Sequence, residues 1–437
     1  MSALGESAGI RPRRAALEIL EQVRDGLPFE AALSVGIDQL TEPDRRLAHE
    51  LAAGVLRQRS SLDAQLARLV NRNWTHVEAQ LQDILRLGAY QITTLERVPA
   101  HAAVDTSVEL AKQSGGARAA GFVNAVLRRL SQAGPEVLPV PQDPAERLAS
   151  EYSHPLWLVR KWIKAFGQEP AAALLQWNNF RPRLVAQPAR QSLIDLAAAW
   201  NRAGLEFEPA AYDAGLIVDR SRPAELPGYR EGNFVIQDPA QALLVQFVDP
   251  PPDATIYDAC AAPGGKSIAL GRRAARVVSG DISPLRVRRL RDNVRRAGTG
   301  REHVIVADAR QPPVRPMDIV LLDAPCSGTG TIARHPDARW RITPKALRHI
   351  VDLQAELLDS AAAIVNPGGL LVYSTCSVER EENVAQVQQF LTEHRDFHRE
   401  PARDFPSELC SPEGDLLILP QLHGMDGAYG ARLRRTG

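Results

Sequence analysis

The stretch TIYDACAAPGGKSIALGRRAARVVSGD, residues 255–281, carries the pattern that decides the fold of the larger part of this chain. A short β-rich run over 255–258 precedes a glycine-containing loop, an apolar helical segment and a second β-rich run, 276–281. Strand, helix and strand in this order are typical of a parallel sheet covered by helices on both faces. The stretch therefore predicts a doubly wound α/β fold.

The following sequence extends this pattern. Further β-rich runs are predicted over 303–307, 318–322 and 369–374, with helices over 286–296 and 344–364 between them. Ligands of such sheets bind beyond the carboxyl ends of the strands. The residues that follow each predicted strand are therefore the candidates for chemistry.

The sequence before this region is helical. Apolar residues recur with helical spacing from residue 13 to about 133, and helices are predicted over 44–59, 60–71, 77–95, 104–113 and 117–132. A proline-rich tract over 134–144 predicts a linker. At about 150 residues per domain, we expect a helical domain over 1–140, a small α/β extension over 141–230 and a larger α/β domain over 231–437.

The charge balance excludes a polycation, because 52 Lys and Arg face 52 Asp and Glu. Locally, residues 272–315 hold 12 Arg and four acids, a balance of 12 − 4 = +8, which indicates either a phosphate-facing surface or a solvated helix face. No apolar run is long enough to span a membrane and no secretory signal is evident, so we expect a cytoplasmic protein. The four cysteines form neither a disulfide framework nor a zinc motif.

The loop after the first strand indicates a nucleotide-like cofactor. Gly264 and Gly265 allow the backbone to turn sharply against a ligand. Asp281 lies 281 − 264 = 17 residues further on, near the spacing at which an acid reaches a ribose, and Asp308 ends the next strand where an adenine edge would lie. Each acid alone could equally cap a helix. The loop also ends like a P-loop, although Cys260 replaces its first glycine, so an NTPase stays an alternative.

Two cysteines follow later strands. Asp323 and Cys326 come after the fourth predicted strand, and Cys376 comes after a later one. The topology rule brings all three to the cofactor crevice. A lone cysteine is mostly a small buried hydrophobe, but two thiols beside an acid favour nucleophilic catalysis.

These motifs carry a resemblance to a known family. DACAAPGGK (258–266), DAPCSG (323–328) and STCS (374–377) resemble the RNA cytosine C5 methyltransferases, which are Rossmann-like enzymes that use S-adenosylmethionine. The helical region resembles the NusB RNA-binding fold through residues 44–46, 84–90, 108–112 and 121–128. The two together are similar to the ribosomal RNA small-subunit methyltransferase B (Sun/RsmB) family, which acts on 16S rRNA.

The resemblance implies a role for each residue. Cys376 would attack C6 of the cytosine, Asp323 would act at N3, Cys326 would assist release and Lys266 would order the Asp323 side of the pocket. It also implies a substrate-side loop over 334–337 with Trp340. The implied cofactor shell comprises Asp258, Cys260, Ala261, Ala262, Pro263, Gly264, Gly265, Lys266, Asp281, Asp308 and Asp323.

Partners and alternatives follow from the same resemblance. RNA is the expected partner, as 16S rRNA either free or in a partly assembled subunit, with a monomeric enzyme and neither membrane nor metal. His394 and His398 are interpreted as surface residues rather than a metal pair. The alternatives are a tRNA or other RNA as substrate, a DNA cytosine enzyme with Cys326 as nucleophile, and a non-catalytic NusB-like assembly factor.

Overall fold

The computed structural model describes residues 9–133, 141–219 and 222–437. Contacts divide the chain into two compact units. Unit 1 is the chain up to Phe180 together with Ile332–Arg341, and unit 2 is Arg181–Thr331 together with Ile342–Gly437. The three-domain division at 140 and 230 stays a prediction, since contacts do not measure which segments fold independently.

Unit 1 is helical. One large apolar cluster occupies its part over residues 10–130, with side chains such as Leu51, Leu85 and Leu127 fully buried. Its helices are Ile10–Arg24, Phe29–Gly36, Glu42–Leu69, Ala79–Thr94, Ala100–Ala133, Pro144–Glu151, Leu156–Phe166, Gln168–Asn179 and Ala338–Arg341. The prediction of a helical amino-terminal region is confirmed.

Two boundaries in unit 1 show what the local sequence decides. The helix Ala100–Ala133 is interrupted at Gly115 and at Gly116, whose φ of +69° favours glycine, so the predicted break is confirmed. The predicted break near residue 60 is wrong, because Glu42–Leu69 is one helix. No glycine or proline interrupts it there, and Leu62 and Leu66 continue its buried stripe. Most of the predicted linker, 134–140, lies outside the described residues.

Unit 2 contains two sheets. The small antiparallel sheet has the order β2-β3-β1-β4, with strands β1 (Leu184–Pro188), β2 (Glu208–Pro209), β3 (Leu216–Val218) and β4 (Phe234–Ile236). The large sheet has the order β10-β12-β9-β8-β5-β6-β7, with β11 beside β12. Its strands are β5 (Thr255–Ala259), β6 (Arg276–Asp281), β7 (Glu302–Val306), β8 (Met317–Asp323), β9 (Val365–Thr375), β10 (Phe397–Arg399), β11 (Leu416–Ile418) and β12 (Ala428–Arg435).

The large sheet is the predicted doubly wound one. β7, β6, β5, β8 and β9 run parallel, and β12 joins β9 antiparallel. Adjacent residues of β5 enter opposite cores, with Ile256 in one and Tyr257 in the other. The helices of unit 2 are Leu193–Arg202, Pro239–Val248, Gly265–Gly271, Pro284–Ala297, Pro344–Ala363, Val384–Glu393 and Pro420–His423. Both faces are therefore covered, which leaves the carboxyl edge for a ligand.

Candidate active site

The carboxyl ends of the central strands bring the predicted residues together. Asp258 lies near the end of β5, Asp281 ends β6, Asp323 ends β8, and Cys376 follows β9 directly. Because β6, β5, β8 and β9 are parallel neighbours, these residues share one edge of the sheet, as the topology rule predicts.

Two free thiols meet at this edge. The Sγ atoms of Cys326 and Cys376 lie 3.2 Å apart, and both cysteines are half-buried. The backbone N–H of Cys376 also donates to the Cys326 sulfur at 3.4 Å. The hydrogen bond with Cys376, together with burial, raises the pKa of the Cys326 thiol well above its usual range. Cys326 is therefore a thiol that keeps its proton at neutral pH.

An ammonium and a carboxylate lie beside the thiols. Lys266 Nζ donates to Asp323 Oδ2 at 2.7 Å, and the Ser374 hydroxyl donates to Asp323 Oδ1 at 2.9 Å. Burial lowers the pKa of Lys266, but the charge of Asp323 and the hydrogen bond to it outweigh burial and raise that pKa above its ordinary value. Lys266 is therefore a cation held next to the thiols.

The loop after β5 turns tightly against neighbouring residues. Cys260 and Gly264 have φ values of +63° and +105°. A Cβ on Gly264 would lie 2.5 Å from Leu290 Cδ1, and one on Gly265 would lie 2.8 Å from the Gln237 amide. Gly264 is favoured by its positive φ, whereas Gly265 leaves room for the Gln237 side chain. Burial raises the pKa of the Cys260 thiol to about 12, so this cysteine is a neutral part of the loop.

Two buried acids at this edge keep an unused oxygen. Asp281 is 1% exposed; its Oδ1 accepts from the Ser283 N–H at 2.9 Å and pairs with Arg286 at 3.0 Å, whereas its Oδ2 has no partner among the described residues. In Asp258, one oxygen accepts from the Ser267 hydroxyl at 2.5 Å, and the other has no partner in the described ranges. A buried acceptor without a donor is costly, so the loop and these acids fit a ligand that brings hydroxyl or amino groups.

Asp308 differs from the other two acids. It is half-exposed, and both of its oxygens accept from Arg310, at 3.1 Å or less. The Arg310 hydrogen bonds lower the pKa of this carboxyl. Its place at the edge is as predicted, but its oxygens are already used.

A buried carboxylate behind the thiols was missed from the sequence. Glu382 is fully buried and accepts from the backbone N–H of Ser327 at 2.7 Å, from the Ser327 and Ser377 hydroxyls and from Gln354. The sequence signal was an acidic pair, 381–382, a few residues after the STCS motif. Periodicity cannot tell which member of such a pair turns inward.

The predicted substrate-side loop belongs to unit 1. Residues 332–341 are grouped there, although the sequence around them is that of the α/β region. Trp340 Nε1 donates to the Leu56 carbonyl at 2.7 Å, and Asp337 accepts from the Phe29 N–H at 3.2 Å. Arg339 is fully buried and donates to Asn178 and Asn179. These side chains are held by unit 1 rather than free.

The remaining candidates do not join the thiol site. Much of the arginine-rich stretch is used internally, since Arg296 donates to the Tyr229 and Phe234 carbonyls and Arg272 to the Pro188 carbonyl. His394 bonds Asp359. Over 9–133, 141–219 and 222–437, no group of three His, Cys, Asp or Glu is placed to hold a metal ion. Within the same ranges, no helix is long and apolar enough to cross a membrane.

Comparisons with known proteins agree with both units. A family model described as 16S rRNA methyltransferase RsmB/F matches residues 245–434, and the NusB family model matches residues 10–132. A probable ribosomal RNA small subunit methyltransferase B of Synechocystis is 35% identical over 91% of this chain and 92% of its own length. The ribosomal RNA small subunit methyltransferase B of Pseudomonas putida is 34% identical over 97% of this chain and 98% of its own.

A solved structure is similar to a large part of this chain. A methyltransferase homologue from Pyrococcus horikoshii, 27% identical, covers 68% of this chain and 100% of its own, with a TM-score of 0.55.

Proposed function

The chain belongs to the 16S rRNA methyltransferase RsmB/F family and is an RNA methyltransferase; from this premise we propose that it methylates C5 of a cytosine in 16S rRNA through a covalent bond between Cys376 and C6. The observation that carries the proposal is the pair of free sulfurs, 3.2 Å apart, beside Lys266 and Asp323. Two thiols at one edge of the sheet can supply a nucleophile for the attack on C6 and a proton donor for the release of the product.

Cytosine chemistry explains why a thiolate is needed. C5 of the aromatic ring is too weak a nucleophile to take a methyl group directly. Addition of the Cys376 sulfur to C6 forms a C–S bond and moves an electron pair toward N3, which makes C5 electron-rich. Asp323 then donates a proton to N3 as it takes one from the Lys266 ammonium, 2.7 Å away, and neutralising the ring in this way is typically worth about 10²–10⁴ in rate.

The second thiol serves the release. After methyl transfer a general base takes the C5 proton, the electron pair of the C–H bond re-forms the ring double bond, and the bond between C6 and the Cys376 sulfur breaks. Cys326, which keeps its proton and lies 3.2 Å away, protonates the departing sulfur. This division of roles separates the proposal from a DNA-type mechanism with Cys326 as nucleophile.

The methyl donor we propose is S-adenosylmethionine, which supplies an electrophilic methyl group on a sulfonium. The unused oxygen of Asp281 would accept from a ribose hydroxyl, and the glycine turn at 264–265 lets the backbone approach the ligand. Asp258, Asp308 and the loop 260–263 complete the proposed shell.

A groove in unit 1 supports RNA as the partner. It encloses about 810 Å³, and Arg72, Arg118 and Arg129 line it beside Phe122. None of the three arginines forms an ion pair with a carboxylate of the described residues. Arg72 lies over the Phe122 ring at 4.8 Å. Arg129 donates to the Leu69 carbonyl, but guanidinium groups without a carboxylate partner next to an aromatic face are typical of binding to phosphates and unstacked bases.

Covalent trapping tests the proposal. RNA carrying 5-fluorocytosine lacks the C5 proton, so the enzyme should remain bonded to it through Cys376. We expect adducts with the Cys326→Ala variant and none with Cys376→Ala, and Cys410→Ala serves as the control for removing a thiol elsewhere in unit 2. Adducts with Cys376→Ala and none with Cys326→Ala would reverse the assignment.

A further inference from the structure

One buried carboxylate bonds to the residue that follows each thiol. Ser327 comes directly after Cys326, and its backbone N–H donates to Glu382 Oε1 at 2.7 Å. Ser377 comes directly after Cys376, and its hydroxyl donates to Glu382 Oε2 at 2.5 Å. The Ser327 hydroxyl donates to the same oxygen. Glu382 therefore ties together two loops that are 50 residues apart in sequence.

Two neighbouring amides extend this connection. Gln354 Nε2 donates to Glu382 and to the Pro325 carbonyl, both at 3.0 Å, so the residue before Cys326 is held as well. Asn383 accepts from the Thr375 hydroxyl at 2.6 Å and donates to the Ser377 carbonyl at 2.8 Å, which fixes the residues on both sides of Cys376. Each sulfur thus stands on a backbone segment held at both ends.

Because Glu382 is buried, its hydrogen bonds to the two cysteine-containing loops depend on its negative charge. Glu382 is 0% exposed, and a buried carboxylate is tolerated only where donors compensate its lost hydration. Four donors compensate Glu382: the Gln354 amide, the backbone N–H and the hydroxyl of Ser327, and the Ser377 hydroxyl. An amide of the same shape would turn an NH₂ group toward some of these donors, so the loops would have to move apart.

We propose that Glu382 is a positioning residue of the methyl-transfer site, whose carboxylate sets the separation of the Cys326 and Cys376 sulfurs by bonding the residue after each. This inference rests on the proposed two-thiol function. Attack and release both need the two sulfurs close to C6 of the cytosine. Glu382, which is buried away from RNA and methyl donor, sets the distance between these sulfurs.

The carboxylate also acts on the thiols through its charge. The hydrogen bond with Cys376 and burial raise the pKa of Cys326 most, and the negative charge of Glu382 raises it further. Removing that charge should therefore move the ionisation of Cys326 to lower pH. A residue that only stabilised the fold would change the melting temperature and leave the ionisation of a folded thiol unchanged.

The test compares Glu382→Gln with Glu393→Gln, which removes an exposed glutamate from the same unit. We expect Glu382→Gln to lower kcat by tenfold or more with little change in KM for RNA, and to lower the pH midpoint for iodoacetamide alkylation of Cys326, followed by peptide mass spectrometry. Glu382→Asp should restore the pH midpoint but not the full rate, because it keeps the charge and shortens the reach. Glu393→Gln should change neither.

The outcomes separate this inference from the function on which it rests. A folded Glu382→Gln protein with unchanged kcat and unchanged alkylation midpoint would overturn the positioning role. If Glu382→Gln does not fold, Ser377→Ala decides in the same way, since it removes one bond to the carboxylate and should lower kcat without a comparable loss in melting temperature. Absence of methyl transfer by the wild-type enzyme would refute the proposed function instead, while the alkylation midpoints would still report on Glu382.

Discussion

Replacing Asp281 with Ala should weaken binding of S-adenosylmethionine without weakening binding of RNA. The reason is the free Oδ2 of this carboxylate, which is buried and has no partner in the described parts of the chain. A hydrogen bond to a charged group contributes about 1.5–3 kcal/mol. At about 1.4 kcal/mol for each factor of ten, the loss corresponds to about 10–150-fold in Kd.

Calorimetry with S-adenosylmethionine and filter binding with RNA give the two affinities separately. Asp281→Asn should have a smaller effect, because it keeps an oxygen for the Ser283 N–H. Asp292→Ala is the matched control, since this exposed acid lies on the helix that follows Asp281 and is 4.0 Å from Arg295. An equal loss of affinity for both ligands, or no loss for S-adenosylmethionine, would contradict the ribose assignment.

Three further predictions concern buried groups. Burial raises the pKa of Asp258 from 3.8 to about 7, so its contribution to the free energy of unfolding is present below pH 3.8 and is lost as the pH rises to about 7. The loss amounts to at most about 4 kcal/mol. Urea titrations of Asp258→Asn should show a smaller decrease of stability over this pH range, and an unchanged pH profile would argue against the shifted pKa. Arg339→Ala should lower the free energy of unfolding by about 1.5–3 kcal/mol, because Asn178 and Asn179 lose a buried charged donor. Exposed Arg128→Ala should change it by no more than about 0.5 kcal/mol, and equal effects of the two substitutions would refute the structural role of Arg339. Hydrogen peroxide should join the Cys326 and Cys376 sulfurs, 3.2 Å apart, into a disulfide while it is reduced to water, and a thiol count that stays the same while methyl transfer is retained would disprove this.

The positions of the acids at the strand ends were predictable from the sequence, because the order of parallel strands determines which residues lie at one edge of the sheet. Once β5, β6 and β8 are recognised as parallel neighbours, Asp258, Asp281 and Asp323 must share one edge. Lys266 contacts Asp323, 57 residues away in sequence, while the roles that the resemblance implies for the two residues stay predictions. These predictions depend on strand order rather than on loop conformation.

Other features depend on loop conformation and were out of reach. The sequence does not distinguish Glu382 from its exposed neighbour Glu381. Only the conformation of the loops that follow Cys326 and Cys376 places Glu382 in the interior. Arg339 resembles a surface arginine of a basic segment, yet it is fully buried in unit 1. A pattern based on periodicity reports which face of an element is apolar, but it does not report long-range partners of single polar side chains.

The path of the chain limits how this protein can be recombined. The backbone leaves unit 2 after Thr331, contributes Ile332–Arg341 to unit 1 and returns at Ile342. A gene fusion with one breakpoint near residue 180 would therefore combine the helices of a different protein with residues 332–341 of this chain. Those ten residues pack against the helices of this chain, not against the foreign ones. Working chimeras need two exchanges, one for the amino-terminal helices and one for this insert, so the two stretches are expected to be inherited as a pair.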